Sequence, residues 1–228
     1  MTANHLLLRG LVAASLASSL VGCGGASSSS GTTADALRVG GQAACSFRRF
    51  EDGEGGGEFV CPSLGFTQGS GYDDWTVGPL ESWGADAGCE AGASATSGEG
   101  VTQLDICMLP ADRVGDAEEM LRVFATGIAE GMAEELPGTA STPEYGAWEG
   151  NGLVENLVTF QYTADDPNDT TDEPVVVDVV IAIVVDGDRA FLRVMVDGVP
   201  AEAYTAESHT TRIEWMREYD VAGPTSSR

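Results

Sequence analysis

Lysine is missing from the 228 residues altogether, so all 11 basic residues are arginines. Without a side-chain primary amine, Schiff-base catalysis, attachment of pyridoxal phosphate and the phosphate-binding P-loop are excluded. Histidine is nearly absent too: only His5 and His209 occur, and His5 falls in a leader expected to be removed. A histidine-rich metal centre is therefore excluded. A Ser-His-Asp triad, a cysteine–histidine pair or a general base near neutrality would have to use His209. No G-x-S-x-G elbow accompanies it, so a structural or surface role is expected for His209. Positive charge is scarce against 36 acidic residues, a formal net charge of -25. Such an excess repels phosphates and anionic headgroups, which excludes nucleic acid as a partner. An acidic, lysine-free surface suits a saline habitat, and a GC-rich genome would also replace lysine by arginine.

At the amino terminus "MTANHLLLRG" carries Arg9 and no acid, and "LVAASLASSLVG" follows as an apolar core of signal-peptide length. That core is shorter than the roughly 20 residues of a membrane-spanning helix. Leu20-Val21-Gly22-Cys23 resembles the lipobox of bacterial lipoproteins, an aliphatic residue and small residues ahead of the cysteine that is lipidated. The resemblance implies a diacylglyceryl group on the Cys23 thiol, cleavage before it to remove residues 1–22, and acylation of the new amino group. Two or more acyl chains hold a protein durably on a bilayer, at about 0.8 kcal/mol per buried methylene. An ordinary secretory signal with an incidental cysteine is the alternative. Gly24, where enterobacterial sorting reads aspartate as an inner-membrane signal, points to the outer membrane of an envelope that has one. The expected location is the cell envelope, on the extracytoplasmic side.

Residues 23–44 continue as "CGGASSSSGTTADALRVGGQAA", too small and polar to repay ordering, and read as a lipidated cysteine with a flexible tether of about 25 Å root-mean-square span. One folded domain is expected over 45–221, and the tail 222–228 should fray. Cys45, Cys61, Cys89 and Cys107 are an even set in an exported chain, so two disulfides are expected. Of three connectivities, Cys45–Cys61 with Cys89–Cys107 closes local loops of roughly 17 and 19 residues, each contributing about 3 kcal/mol. The alternative, structural zinc, lacks a C-x(2–4)-C spacing.

"CSFRRF" and "EFVCPSLGF" read as a hairpin around the glycine-rich "EDGEGGG", with a second strand pair at Trp75 to Trp83 and "VTQLDICML". Met120, Phe124, Ile128 and Met132 recur every fourth residue, which predicts an amphipathic helix from Asp116 to Leu136, with Asp116 and Glu119 as a capping box. "GLVENLVTFQY" reads as a strand. "VVVDVVIAIVV" and "RAFLRVMV" read as a hairpin turning at Asp186-Gly187. Parity puts Val177, Val179, Ile181 and Ile183 on one apolar face with Leu192, Val194 and Val196. With that turn Arg193 is diagonal to Asp178 on the other face, close enough to pair. A closing helix is expected over "AYTAESHTTRIEWMREYD", with Ala206, His209, Ile213 and Met216 on one stripe.

The loop between strand and hairpin offers Asp165, Asp166, Asp169, Asp172 and Glu173 as candidate calcium ligands. An EF-hand does not fit: counted from Asp166, the glycine position is Thr171 and the glutamate position is Val177. Carboxylate pairs for glycoside hydrolysis cannot be singled out among 36 acids.

The fold class expected is α+β, an antiparallel sheet packed by two helices with disulfide-stapled N-terminal hairpins. "LDICMLP", the helix at Asp116 to Leu136, "VVIAIVVDGDRAFLRVMV" and "TTRIEWMREYD" together resemble the PsbP/Mog1-like α/β/α sandwich found in small bacterial lipoproteins. Its members are typically non-catalytic interaction or assembly factors. The resemblance implies a non-enzymatic module, without cofactor, that binds another envelope protein. A calcium- or small-ligand-binding lipoprotein is the second expectation and a hydrolase the third.

Overall fold

A computed structural model describes residues 41–42, 45–50, 56–70, 75–80, 84, 87–97, 102–135, 137–150, 153–164, 174–217 and 219–221. Cys23, the leader, the acidic loop 165–173 and the tail 222–228 lie outside the described residues. The fold is α+β, mostly antiparallel sheet with two helices.

Among the described residues thirteen strands form two sheets. The large sheet is built on four long strands, β7 (Thr102–Pro110), β10 (Leu153–Ala164), β11 (Val175–Asp186) and β12 (Arg189–Pro200), of which β11, rich in β-branched residues, and β12 are buried on both faces. Its order is β1-β6-β7-β12-β11-β10-β8, where β1 is Gly41–Gln42, β6 is Ala91–Ser97 and β8 is Gly138–Ala140. Strands β5 (Trp75–Gly78) and β9 (Glu144–Gly150) pair with β6 and β10 respectively. The small sheet has order β13-β4-β3-β2, from Tyr219–Val221, Phe66–Ser70, Gly57–Cys61 and Ser46–Arg49. Gly41 and Gln42 pair parallel with Ala91 and Gly92, so pairing begins inside the stretch read as a tether.

Helix α1 (Ala117–Glu135) covers one face of the large sheet. Asp116 Oδ1 accepts from the Glu119 N–H at 3.1 Å, so half of the expected capping box forms, while the Glu119 carboxylate turns to Arg122. Leu121, Phe124, Ile128 and Met132 are buried against Val158, Phe160, Val179, Ile181, Leu192 and Val194. The opposite face packs on the small sheet through Phe59, Phe66, Val180, Val184, Phe191 and Met195, and carries helix α2 (Ala206–Arg217) at one end. Disulfides join Cys45–Cys61 at the base of the first hairpin and Cys89–Cys107 beneath α1, the pairing expected from loop length.

Four expectations need correction. Gly187-Asp188, not Asp186-Gly187, is central in the β11–β12 turn, since Asp186 pairs with Arg189 and Gly187 has φ 64°. A shift of two preserves every face, so the apolar face is as read, but it places Ala182 opposite Arg193 and Asp197 opposite Asp178. Asp178 and Arg193 are therefore not the pair that was expected. The strand at Trp75 does not pair with "VTQLDICML": "AGASATS" forms β6 between β5 and β7 and pairs with both. "EFVCPSLGF" is broken by a turn at Cys61–Gly65, with β4 beginning at Phe66. The closing helix ends at Arg217, because Tyr219–Val221 pairs with β4.

Candidate functional site

Two places on the molecule concentrate chemistry: a polar layer under α2 and the exposed outer edge of the large sheet. The polar layer starts from a conflict. Asp178 on β11 and Asp197 on β12 are directly opposite, fully buried and of like charge, an arrangement that destabilises a sheet unless a cation intervenes. Arg212 of α2 supplies it. Its Nε donates to Asp178 Oδ2 at 2.9 Å and lies 3.1 Å from Asp197 Oδ2, and its Nη2 also donates to Asp178. Thr102 Oγ1 donates to the other Asp197 oxygen at 2.6 Å. The second Asp178 oxygen faces His209 Nδ1 at 2.9 Å and Gln161 Nε2 at 3.1 Å. The Tyr204 ring lies against both Arg212 and His209, and burial raises its hydroxyl above the usual tyrosine value.

Helix α2 is held mainly by this polar grip. Met216 is its one fully buried side chain among the described residues, and Gln68 of β4 donates from Nε2 to the Trp215 carbonyl at 3.1 Å. Of the stripe read in sequence, Met216 is buried and Ile213 and His209 are partly buried, while Ala206 is exposed; Arg212, beside the stripe, carries the anchoring contacts.

A second buried cation sits where the sheets meet. Arg193 donates from Nη1 to Gln68 Oε1 at 2.5 Å, lies 3.8 Å from Glu155, and stacks its guanidinium 4.4 Å from the Tyr219 ring centroid. Burial lowers Arg193 to about 10, partly opposed by the Glu155 carboxylate, so it stays charged at neutral pH. The Tyr219 hydroxyl is pushed up to about 12, first by burial and then by Glu155, to which it hydrogen-bonds. The function of this group is to hold the layers together: Gln68 binds Arg193 with its oxygen and α2 with its nitrogen.

His209 and Asp178 have the geometry of an oriented imidazole, the part of a catalytic triad that carries the base. No serine, threonine or cysteine among the described residues bonds to the ring, and Arg212 already neutralises Asp178. The arrangement is an anchor for α2. Among the described residues no group of three His, Cys, Asp or Glu side chains is placed to hold a metal ion. The candidate calcium ligands Asp165, Asp166, Asp169, Asp172 and Glu173, like the lipidation residue Cys23, fall outside the described residues.

The sheet edge is different in kind. Tyr145 and Trp148 on β9 and Val154 on β10 are exposed at 44%, 44% and 38%, and only Phe50 joins them as an exposed large apolar residue among those described. Every β9 residue from Glu144 to Glu149 is exposed. A shallow depression of about 220 Å³ lies between β9–β10 and the first turn of α1, lined by Tyr145, Ala147, Asn156, Glu118 and Leu121. Nothing in the sequence marked this edge, because "EYGAWEG" has neither alternating hydrophobicity nor β-branched residues. No helix of the described residues is long and apolar enough to cross a membrane. The chain matches no protein-family model, and no curated protein is significantly similar to it.

Proposed function

We propose that the chain is a lipid-anchored protein of the bacterial cell envelope that docks another envelope protein and catalyses no reaction. The observation that carries the docking part is the β9–β10 edge, which holds three of the four exposed large apolar side chains among the described residues, Tyr145 and Val154 on the α1 face and Trp148 on the other. Isolated exposed apolar residues are ordinary on protein surfaces, whereas aromatics grouped at one edge are the composition of interface centres. The polar clusters that resemble catalytic machinery are spent on holding layers together, which supports a non-enzymatic role. Two disulfides suit an oxidising, extracytoplasmic compartment. Leu20-Val21-Gly22-Cys23 supports the anchor. The succession β7, α1, β10 to β12, α2 supports the likeness to PsbP/Mog1-like sandwiches, from which the second sheet departs.

The test is site-specific photo-crosslinking in the native host from position 148, with the exposed Glu202 position as control. Adducts to one envelope protein from 148 and none from 202 are expected. No adduct, or the same adducts from both positions, refutes docking at this edge. Cys23→Ser should abolish lipidation and release the chain from membranes, and unchanged detergent partitioning refutes the anchor.

A further inference from the structure

We infer that β9 takes up a cationic, extended segment of the partner as an added strand; the inference rests on the docking reading above and specifies the chemistry of what docks. Strand β9 pairs with β10 alone among the described strands. In an antiparallel pair, alternate residues turn their N–H and C=O groups away from the neighbour, so the outer side of β9 offers a row of unpaired backbone groups.

The side chains select the occupant. By register Tyr145 and Glu149 lie beside Val158 and Val154 on the α1 face, while Glu144 and Trp148 lie beside Thr159 and Glu155 on the other. Each face of the edge therefore presents one aromatic ring and one carboxylate, four residues apart. Arginine or lysine on an added strand placed opposite Ala147 lies diagonal to both Tyr145 and Glu149, and one placed opposite Gly146 lies diagonal to both Glu144 and Trp148, within reach of a long cationic side chain. No basic residue occurs between Glu144 and Gly150, and Arg122 on the neighbouring helix is engaged by Glu118 and Glu119. Gly146 and Ala147 keep the centre of the strand open, and a Cβ at Gly146 would meet only Leu157 atoms at 3.6 Å or more. A second copy is a poor occupant, since it brings an acidic edge and another net charge of -25.

The experiment uses the full chain in detergent micelles with three peptides of seven residues: alternating Arg-Val, alternating Glu-Val, and an arginine peptide of equal charge whose valines are replaced by proline. Amide exchange is read residue by residue. The Arg-Val peptide should slow alternate β9 amides by about tenfold at saturation, and the other two should not. Trp148→Ala and the double variant Glu144→Gln, Glu149→Gln, all exposed positions, should each weaken binding by about fivefold. Equal protection by the Glu-Val or proline peptide, binding without β9 protection, or a salt-stable dimer formed through β9 overturns the inference. Crosslinking from position 148 to a partner, with no β9 response to the Arg-Val peptide, removes the cationic strand and leaves the docking surface. Failure of both removes the docking reading as well.

Discussion

Replacing Asp178 by alanine should release α2 from the sheet. Asp178 is fully buried and is bonded by Arg212 and His209 of the helix and by Gln161 of β10. Removing one partner of a buried ion pair costs about 3 to 5 kcal/mol, because the other charge is left without compensation. Here the stranded guanidinium keeps Asp197 at 3.1 Å and is 11% exposed, which places the loss at the low end, about 3 kcal/mol. For a chain of this size that lowers Tm by about 6 to 12 °C. Arg212→Met leaves Asp178 facing Asp197 across the strands and should cost at least as much. In the double variant the two losses should not add, with a coupling of about 1 to 3 kcal/mol. Urea unfolding of the full chain in detergent measures all three, and amide exchange locates the damage in α2. A loss below about 1 kcal/mol for Asp178→Ala, with α2 amides still protected, would mean that Met216 and its apolar neighbours hold the helix unaided.

Arg193→Met should destabilise by about 3 kcal/mol by leaving Glu155 buried without its cation, and adding Glu155→Gln should recover most of it; a double variant as unstable as the single one contradicts that pairing. In spectrophotometric titration, Tyr219→Phe should remove a tyrosinate transition near pH 12. Because the folded value lies above the unfolded value of about 10, the contribution of Tyr219 to stability is fully present below pH 10 and is lost as pH rises through 12. A transition removed near pH 10 would show that the ring is not buried against Arg193. Cys45→Ser with Cys61→Ser opens a bridge of sequence separation 16 and should cost about 3 kcal/mol, read as an earlier urea midpoint, and an unchanged midpoint refutes its structural role.

Much of the sheet was legible because long alternating strands announce their faces. The β11–β12 hairpin was read two residues out of register, yet every side chain fell on its correct side, since side-chain direction repeats every two residues. What a shift of two destroys is pairing, and so Arg193 was given Asp178 when its partners are Glu155, Gln68 and Tyr219. The turn "DGDR" accommodates either reading, and only the tertiary pairing chooses. The grip on α2 was illegible for a related reason: Asp178 and Arg212 are 34 residues apart, and nothing local couples them. Strand β6 escaped notice because alanine, glycine and serine carry little strand propensity, and it forms because β5 and β7 pair with it on both sides. Strand β9 was hidden because "EYGAWEG" has neither alternating hydrophobicity nor β-branched residues, although Tyr145 and Trp148 suit a strand.

Amide exchange along β9, compared between the protein in intact envelopes and the purified full chain, tests docking most directly. An occupied edge slows the Glu144–Gly150 amides in envelopes by about tenfold or more, with the β12 amides unchanged. Equal β9 rates in both settings would show the edge to be empty where the protein works.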